Sequence, residues 1–135
     1  IDTDKVIVRT HGPIPEIFAS HGEGVFREFE RTAVVDALRS DAVVSLGGGA
    51  IINPDTRRDL KSVPVAMIAI SADAVAHRLK PGKRPLLRDG LDSWKKLLAE
   101  RNSWYQEVAD RVFDASHRPV HDVAEEIAAW LEAQQ

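Results

Sequence analysis

Val43-Val44-Ser45-Leu46-Gly47-Gly48-Gly49-Ala50 runs an apolar, β-branched segment straight into three glycines. Consecutive glycines are entropically costly inside a regular element, so a chain uses them where backbone must approach something closely. At the carboxyl end of a buried strand that something is often a ligand, because open α/β sheets bind ligands there. A plain structural turn is the competing explanation. Asp2 and Asp4, two acids one residue apart, could reach a metal or a hydroxyl, although such pairs commonly just face solvent. Arg27 has Glu30 three residues later, an i,i+3 spacing that can hold a guanidinium in place or simply decorate a solvated face. Arg101 falls in the middle of the apolar stripe Trp94, Leu97, Leu98, Trp104, Tyr105 and Val108. A guanidinium pointing inward there needs an anionic partner, since burying it unpaired costs several kcal/mol. That partner is either a bound anion or a core carboxylate, unless the stem snorkels out to solvent.

Lys83-Arg84-Pro85 places a cationic tip on a stretch with few apolar anchors, the composition of a mobile lid or of a solvated loop. Gly82-Lys83 is not a phosphate-binding loop. The pattern G-x-x-x-x-G-K-[ST] needs Ser or Thr after the lysine, whereas Arg84-Pro85 follows here. The five histidines (His11, His21, His77, His117 and His121) show no metal spacing.

These side chains must be positioned by 135 residues, enough for one domain with a real core. The apolar share of 44% and the charged share of 29% are those of a soluble globular chain. A net charge of -3 gives no basic patch of the kind nucleic acid requires. The lack of cysteine excludes a disulfide framework, thiolate metal sites and thiol catalysis, and fits a reducing cytoplasm. Val63 to Ile70, the longest strongly apolar stretch, is far too short to span a bilayer. The chain opens on Ile1 and its only methionine is Met67, so sequence upstream of residue 1 is expected.

Glu23 to Arg39 reads as an amphipathic helix with Phe26, Phe29, Ala33 and Ala37 at helical spacing. Ala42 to Leu46 reads as a buried strand, and Asn53-Pro54-Asp55 opens a short helix to about Lys61. Val63 to Ile70 is a second buried strand, after which Ser71 caps a helix to about Lys80. Pro81 to Gly90 is a loop, Leu91 to Val112 a long helix, Val112 to Ala115 a short strand and Pro119 to Ala133 a last helix. In the opening Ile1 to Thr10, Val6-Ile7-Val8 suggests a strand, by a propensity that is weak over so short a run. Strands alternating with helices give an α/β class with a mostly parallel sheet.

In order, the chain shows Asp2-x-Asp4, Ile17-Phe18, Gly22-Glu23-x-x-Phe26-Arg27-x-x-Glu30, Gly47-Gly48-Gly49-Ala50, Arg84-Pro85-Leu86-Leu87 and Arg101-x-x-x-Tyr105. That succession resembles the shikimate kinase family over nearly the whole chain. The resemblance implies a single P-loop-NTPase-like domain, 1–135, of three α/β/α layers around a parallel sheet, with a lid loop at about 80–90. It also implies a monomeric cytoplasmic enzyme, with no nucleic-acid or membrane partner, that transfers the γ-phosphoryl of ATP to the 3-hydroxyl of shikimate. Asp4 would then orient or deprotonate the accepting hydroxyl, and Asp2 would lie near Mg2+ through water. Arg27, Arg101, Gly48 and Gly49 would hold the substrate, with both guanidiniums on its carboxylate, where a planar fork matches bidentately. Phe18 and Phe26 would pack beside the pocket, and Glu30 would brace Arg27. Arg84 would close over the phosphates as the lid arginine and exclude water. Arg78 and Arg118 would contact the nucleotide, with Pro119 near the adenine.

One departure from the family pattern is large. Family members start with a strand, a Gly-rich loop ending in Lys-Ser or Lys-Thr, and a helix, none of which occurs among these residues. That loop supplies the phosphate cradle, so a truncated chain without phosphoryl transfer at a useful rate is the expectation. The first strand of the family lies between the strands matching Ala42–Leu46 and Val63–Ile70. Its absence would leave facing unpaired backbone groups across a gap, where strands normally sit about 4.8 Å apart. Two other readings stay open: a related small-molecule kinase of the gluconate kinase type, and a non-catalytic shikimate-binding or regulatory domain.

Overall fold

The computed structural model describes residues 1–78 and 87–135, with backbone alone at 78 and 87–89. Its contacts gather into two compact units, Ile1–Asp59 and Leu60–Gln135.

In the first unit, helix α1 spans Thr3–His11. The β-branched run does not make a strand, because the local cap wins over propensity. The Asp2 carboxylate accepts the Asp4 and Lys5 amides at 3.0 and 3.2 Å, satisfying donors that a helix start leaves unpaired. Gly12, at φ 90°, ends the helix and donates back to the Val8 carbonyl. Helix α2 covers Ile14–Leu38 and takes in the anticipated Glu23–Arg39 segment up to Leu38, with Arg39 as its C-cap. It breaks at Gly22 (φ 82°, ψ 174°), a conformation L side chains rarely adopt. Ile14–His21 is thus an added helical segment before the break. Ile7, Ile17, Phe26 and Ala33 form the buried core between α1 and α2, with Val6, Ile14 and Phe29 packed around it.

The expected strand at Ala42–Leu46 is not formed as a buried strand. Ser45 makes one parallel bridge to Asp2, with Ser45 accepting the Thr3 amide at 3.1 Å and donating to Ile1 at 2.7 Å. Val43 is 71% exposed. Burial of a parallel strand needs partners along both edges, and here one edge alone is paired among the described residues. A 3-10 turn, Ala50–Ile52, follows the glycines. Helix α3, Pro54–Leu60, begins as its sequence requires: Asn53 Oδ1 accepts the Asp55 and Thr56 amides at 2.8 and 3.3 Å.

The second unit holds β1 (Ala66–Ala69) paired in parallel with β2 (Arg111–Asp114), Ile68 opposite Phe113. Strand β1 is shorter than Val63–Ile70 and is not buried, with Ile68 60% exposed. Ser71 caps α4 (Ala72–Arg78) as expected, its Oγ accepting the Ala74 amide at 3.1 Å. Helix α5 runs Leu87–Val108, starting and stopping four residues before the Leu91–Val112 expected from the sequence. The rest of the expected lid, with Lys83 and Arg84, lies outside the described residues. Helix α6, Val120–Ala133, starts at Pro119 and lays Val123, Ile127 and Trp130 against Phe113 and Ala115. Among the described residues no helix is long and apolar enough to cross a membrane.

Candidate functional site

The glycine loop is where the first unit brings its chemistry together. A Cβ built on Gly47 would lie 3.1 and 3.2 Å from the two Asp4 carboxylate oxygens. A Cβ on Gly49 would meet the Arg27 guanidinium, 2.7 Å from Nη2 and 2.9 Å from Cζ. Bare backbone is therefore the spacer that lets an acid and a guanidinium both press against one loop. Arg57, on α3, fixes the loop from behind by donating to the Ile51 and Ile52 carbonyls at 2.7 and 3.0 Å.

Asp4 sits in the first turn of α1, where Asp2 caps the helix. Burial pushes the Asp4 carboxyl above its ordinary value, the Asp2 charge pushes it further, and the Arg27 charge pulls it partly back. Asp2 spends Oδ1 on the two cap amides, a structural duty that the D-x-D spacing does not reveal.

Arg27 carries two carboxylates. Nη1 donates to Glu30 at 2.9 Å and Nη2 to Glu23 at 3.1 Å. The two acids differ sharply: the Glu30 side chain is 5% exposed and the Glu23 side chain 61%. Burial works to lower the Arg27 value, but hydrogen bonds and charges from Glu30 and then Glu23 outweigh it and raise it, so the cation is held. Arg27 Nε is buried without a hydrogen bond among the described residues. Phe26 is buried beneath this group, with the half-exposed Phe18 ring 4.9 Å away and the Arg27 guanidinium 5.2 Å from its own ring. A cavity of about 260 Å³ lined by Arg27, Glu30, Arg31, Ile52, Asn53 and Thr56 lies beside the pair. Arg31 closes it, donating to Thr56 Oγ1 at 3.0 Å and Asp59 at 2.7 Å.

The first unit thus unites Asp4, Arg27, Gly47, Gly49, Phe18 and Phe26 around one loop, with Gly48 between the two glycines that make the close approaches. The sequence pointed to Glu30 as the brace, whereas Glu23 was legible as an i,i+4 partner of Arg27 yet carried no role. Gly47 was legible only as one of three glycines.

The second unit holds the other candidates. Arg101 is half-buried on the α5 stripe, where the spacing put it. Among the described residues no hydrogen bond or ion pair occupies it. Arg118 pairs with Glu126 on α6 and reaches the Asp114 carbonyl at 3.4 Å, while Pro119 is the α6 N-cap. The loop before them is clasped to β1: Ser116 Oγ accepts the Ser71 amide at 2.8 Å, and Asp114 Oδ1 accepts the Ser116 amide at 2.9 Å. The Ser116 hydroxyl and amide hold the Asp114 carboxyl below its ordinary value. Arg78 ends α4. Among the described residues no group of three or more potential ligands could hold a metal ion.

Comparison with known proteins places this geometry. The shikimate kinase family model matches residues 1–132. A shikimate kinase of Deinococcus radiodurans is 41% identical, covering 99% of this chain and 72% of that protein. One from Geobacter metallireducens is 38% identical, covering 97% and 76%. The solved structure of shikimate kinase from Acinetobacter baumannii in complex with shikimate superposes with a TM-score of 0.84 at 29% identity, over 99% of this chain and 78% of that one. Shikimate kinase from Aquifex aeolicus gives 0.78 at 29% identity, over 99% and 80%. The acid, the guanidinium and the glycine loop between them thus stand in a P-loop-NTPase-like fold, and this chain belongs to the shikimate kinase family.

Proposed function

We propose that this chain binds shikimate and presents its 3-hydroxyl for transfer of the γ-phosphoryl of ATP. The observation that carries the reading is the glycine loop flanked on one side by the Asp4 carboxylate and on the other by the Arg27 guanidinium. A cyclic hydroxy acid offers a hydroxyl for the first and a carboxylate for the second. Arg27 takes the carboxylate through Nη2 as a charge-assisted hydrogen bond, Gly48 and Gly49 supply backbone contacts, and Phe18 and Phe26 pack beside the ring. The family resemblance assigns Arg101 a part in holding the same carboxylate. Asp4 accepts a hydrogen bond from the 3-hydroxyl and sets its angle of attack. Its raised value brings the carboxylate closer to the pH at which a base works well. In a loose, dissociative transfer the proton leaves late, so orientation is its main contribution.

Arg84 neutralises phosphate charge, and Arg78, Arg118 and Pro119 hold the nucleotide, with Arg118 exchanging its Glu126 pair for that contact. For Mg2+ the fit is partial. Both cap hydrogen bonds of Asp2 go to Oδ1, so its other oxygen would be the one to help hold the ion, through water, as would suit an ion that keeps several waters. When bound, the ion shields phosphate charge. The protein works as a cytoplasmic monomer.

Calorimetric titration of shikimate into this chain, with circular dichroism as a check of folding, tests the reading. Saturable binding that Arg27→Ala and Arg101→Ala each abolish is the expected result. A folded chain that shows no shikimate binding overturns it.

A further inference from the structure

Two carboxylates share the Arg27 guanidinium, and they are not equivalent. Glu30 is buried and on the helix face that joins the core, so its hold on Nη1 is shielded from water. Glu23 stands in solvent at the first position after the Gly22 break, and holds Nη2 from one turn away. The remaining nitrogen, Nε, is enclosed, and the group is pressed against Gly49. Nη1 and Nη2 each keep one further N–H beyond these pairs, and Nη2, whose partner is the exposed acid, is the nitrogen at which an incoming carboxylate meets a like charge it can move aside.

We propose that Glu23 is a positioning residue: a displaceable stand-in for the substrate carboxylate. In the free protein it keeps the guanidinium aimed and neutralised, and it competes for Nη2 with an anionic ligand, which displaces it on binding. Exchange needs only a side-chain rotation of an exposed residue, with no backbone change. Solvent-exposed pairs of this kind are weak, so the exchange costs the ligand little. A ligand without a negative charge offers Nη2 a neutral acceptor alone, too weak to displace a carboxylate, and leaves the pair intact. This inference rests on the assignment of Arg27 to the shikimate carboxylate.

The test compares Glu23→Gln with the unaltered chain, titrating shikimate and, separately, shikimate methyl ester, which keeps the ring hydroxyls but lacks the charge. Removing the competing charge is expected to tighten shikimate binding about two- to fivefold while leaving the ester unchanged, and Glu23→Ala is expected to move shikimate affinity in the same direction. Unchanged or weaker shikimate binding in Glu23→Gln, with the unaltered chain binding normally, overturns the inference, and so does an equal gain for the ester. If no version of the chain binds shikimate, the substrate assignment itself falls, and the inference falls with it.

Discussion

The Asp4 carboxylate rests against the α-carbon of Gly47, so close that an added methyl would stand 3.1 Å from one oxygen and 3.2 Å from the other. Two residues later the Arg27 guanidinium lies tighter still against Gly49, at 2.7 Å or less from the same imagined atom. The difference ranks two substitutions. In Gly47→Ala the carboxylate has to yield by a few tenths of an ångström, and shikimate affinity is expected to fall about threefold to tenfold, below the loss of about a hundredfold that a 1 Å misplacement brings. In Gly49→Ala the guanidinium must leave its place, so a larger loss is expected. Calorimetry on both variants checks the order, and equal affinities would refute it.

Asp4 also makes stability depend on pH in an unusual sense. Its folded value lies above the ordinary 3.8, first through burial and then through Asp2. The folded state therefore holds this proton more tightly than the unfolded chain does. Its contribution is fully present below about pH 3.8 and is lost as pH rises through the folded value. At neutral pH the ionised Asp4 opposes folding. Asp4→Asn should accordingly melt at a higher temperature than the unaltered chain at pH 7, with the advantage shrinking as the pH is lowered toward 3.8. A melting series across that range decides it, and a variant less stable at pH 7 would contradict the burial argument.

Asp2 has two duties that substitution can separate. As the α1 cap it satisfies two amides, and as a charge it raises Asp4. Asp2→Ala removes both and should cost about 1 kcal/mol of stability. Asp2→Asn keeps an accepting oxygen, so it should retain most of that stability while letting the Asp4 value drop. Carboxyl-carbon NMR titration of Asp4 alongside thermal melts reads the two effects independently.

How much of this was legible in the sequence depended on whether the deciding interaction is local. The caps at Asn53 and Ser71 and the Arg27–Glu30 pair are contacts within four residues, and the spacing alone located them. Helix α1 is equally local but hinged on Asp2 being read as a cap. Propensity pointed instead at Val6-Ile7-Val8, whose Ile7 is buried as a helix-face residue. The strand at Ala42–Leu46 failed for the opposite reason. Its apolar run describes a fully paired position, and one bridge at Ser45 does not bury Val43. That Gly47 and Gly49 face two different side chains could not be seen from three identical letters, because the partners lie on helices far away in sequence.

The clasp at the ends of β1 and β2 yields the last expectation. Ser116 ties the end of β2 to the residue that follows β1, its hydroxyl oxygen accepting from the Ser71 amide, and its own amide folds back to donate to Asp114. The same hydroxyl and amide hold the Asp114 carboxyl low. A depressed carboxylate contributes stability above its unfolded value and loses it as pH falls through the folded one. Ser116→Ala leaves the backbone amide but removes the hydroxyl. Asp114 should then titrate closer to its ordinary value, and the Ser71 amide should exchange its hydrogen faster, since its acceptor is gone. Because Arg118 and Pro119, proposed above to hold the nucleotide, follow directly, nucleotide affinity should fall in the same variant while shikimate affinity holds. Faster Ser71 exchange with an unmoved Asp114 titration would show that the backbone amide, rather than the hydroxyl, sets the carboxylate. A loss of shikimate affinity equal to that for nucleotide would show that the clasp supports the fold as a whole rather than the loop it closes.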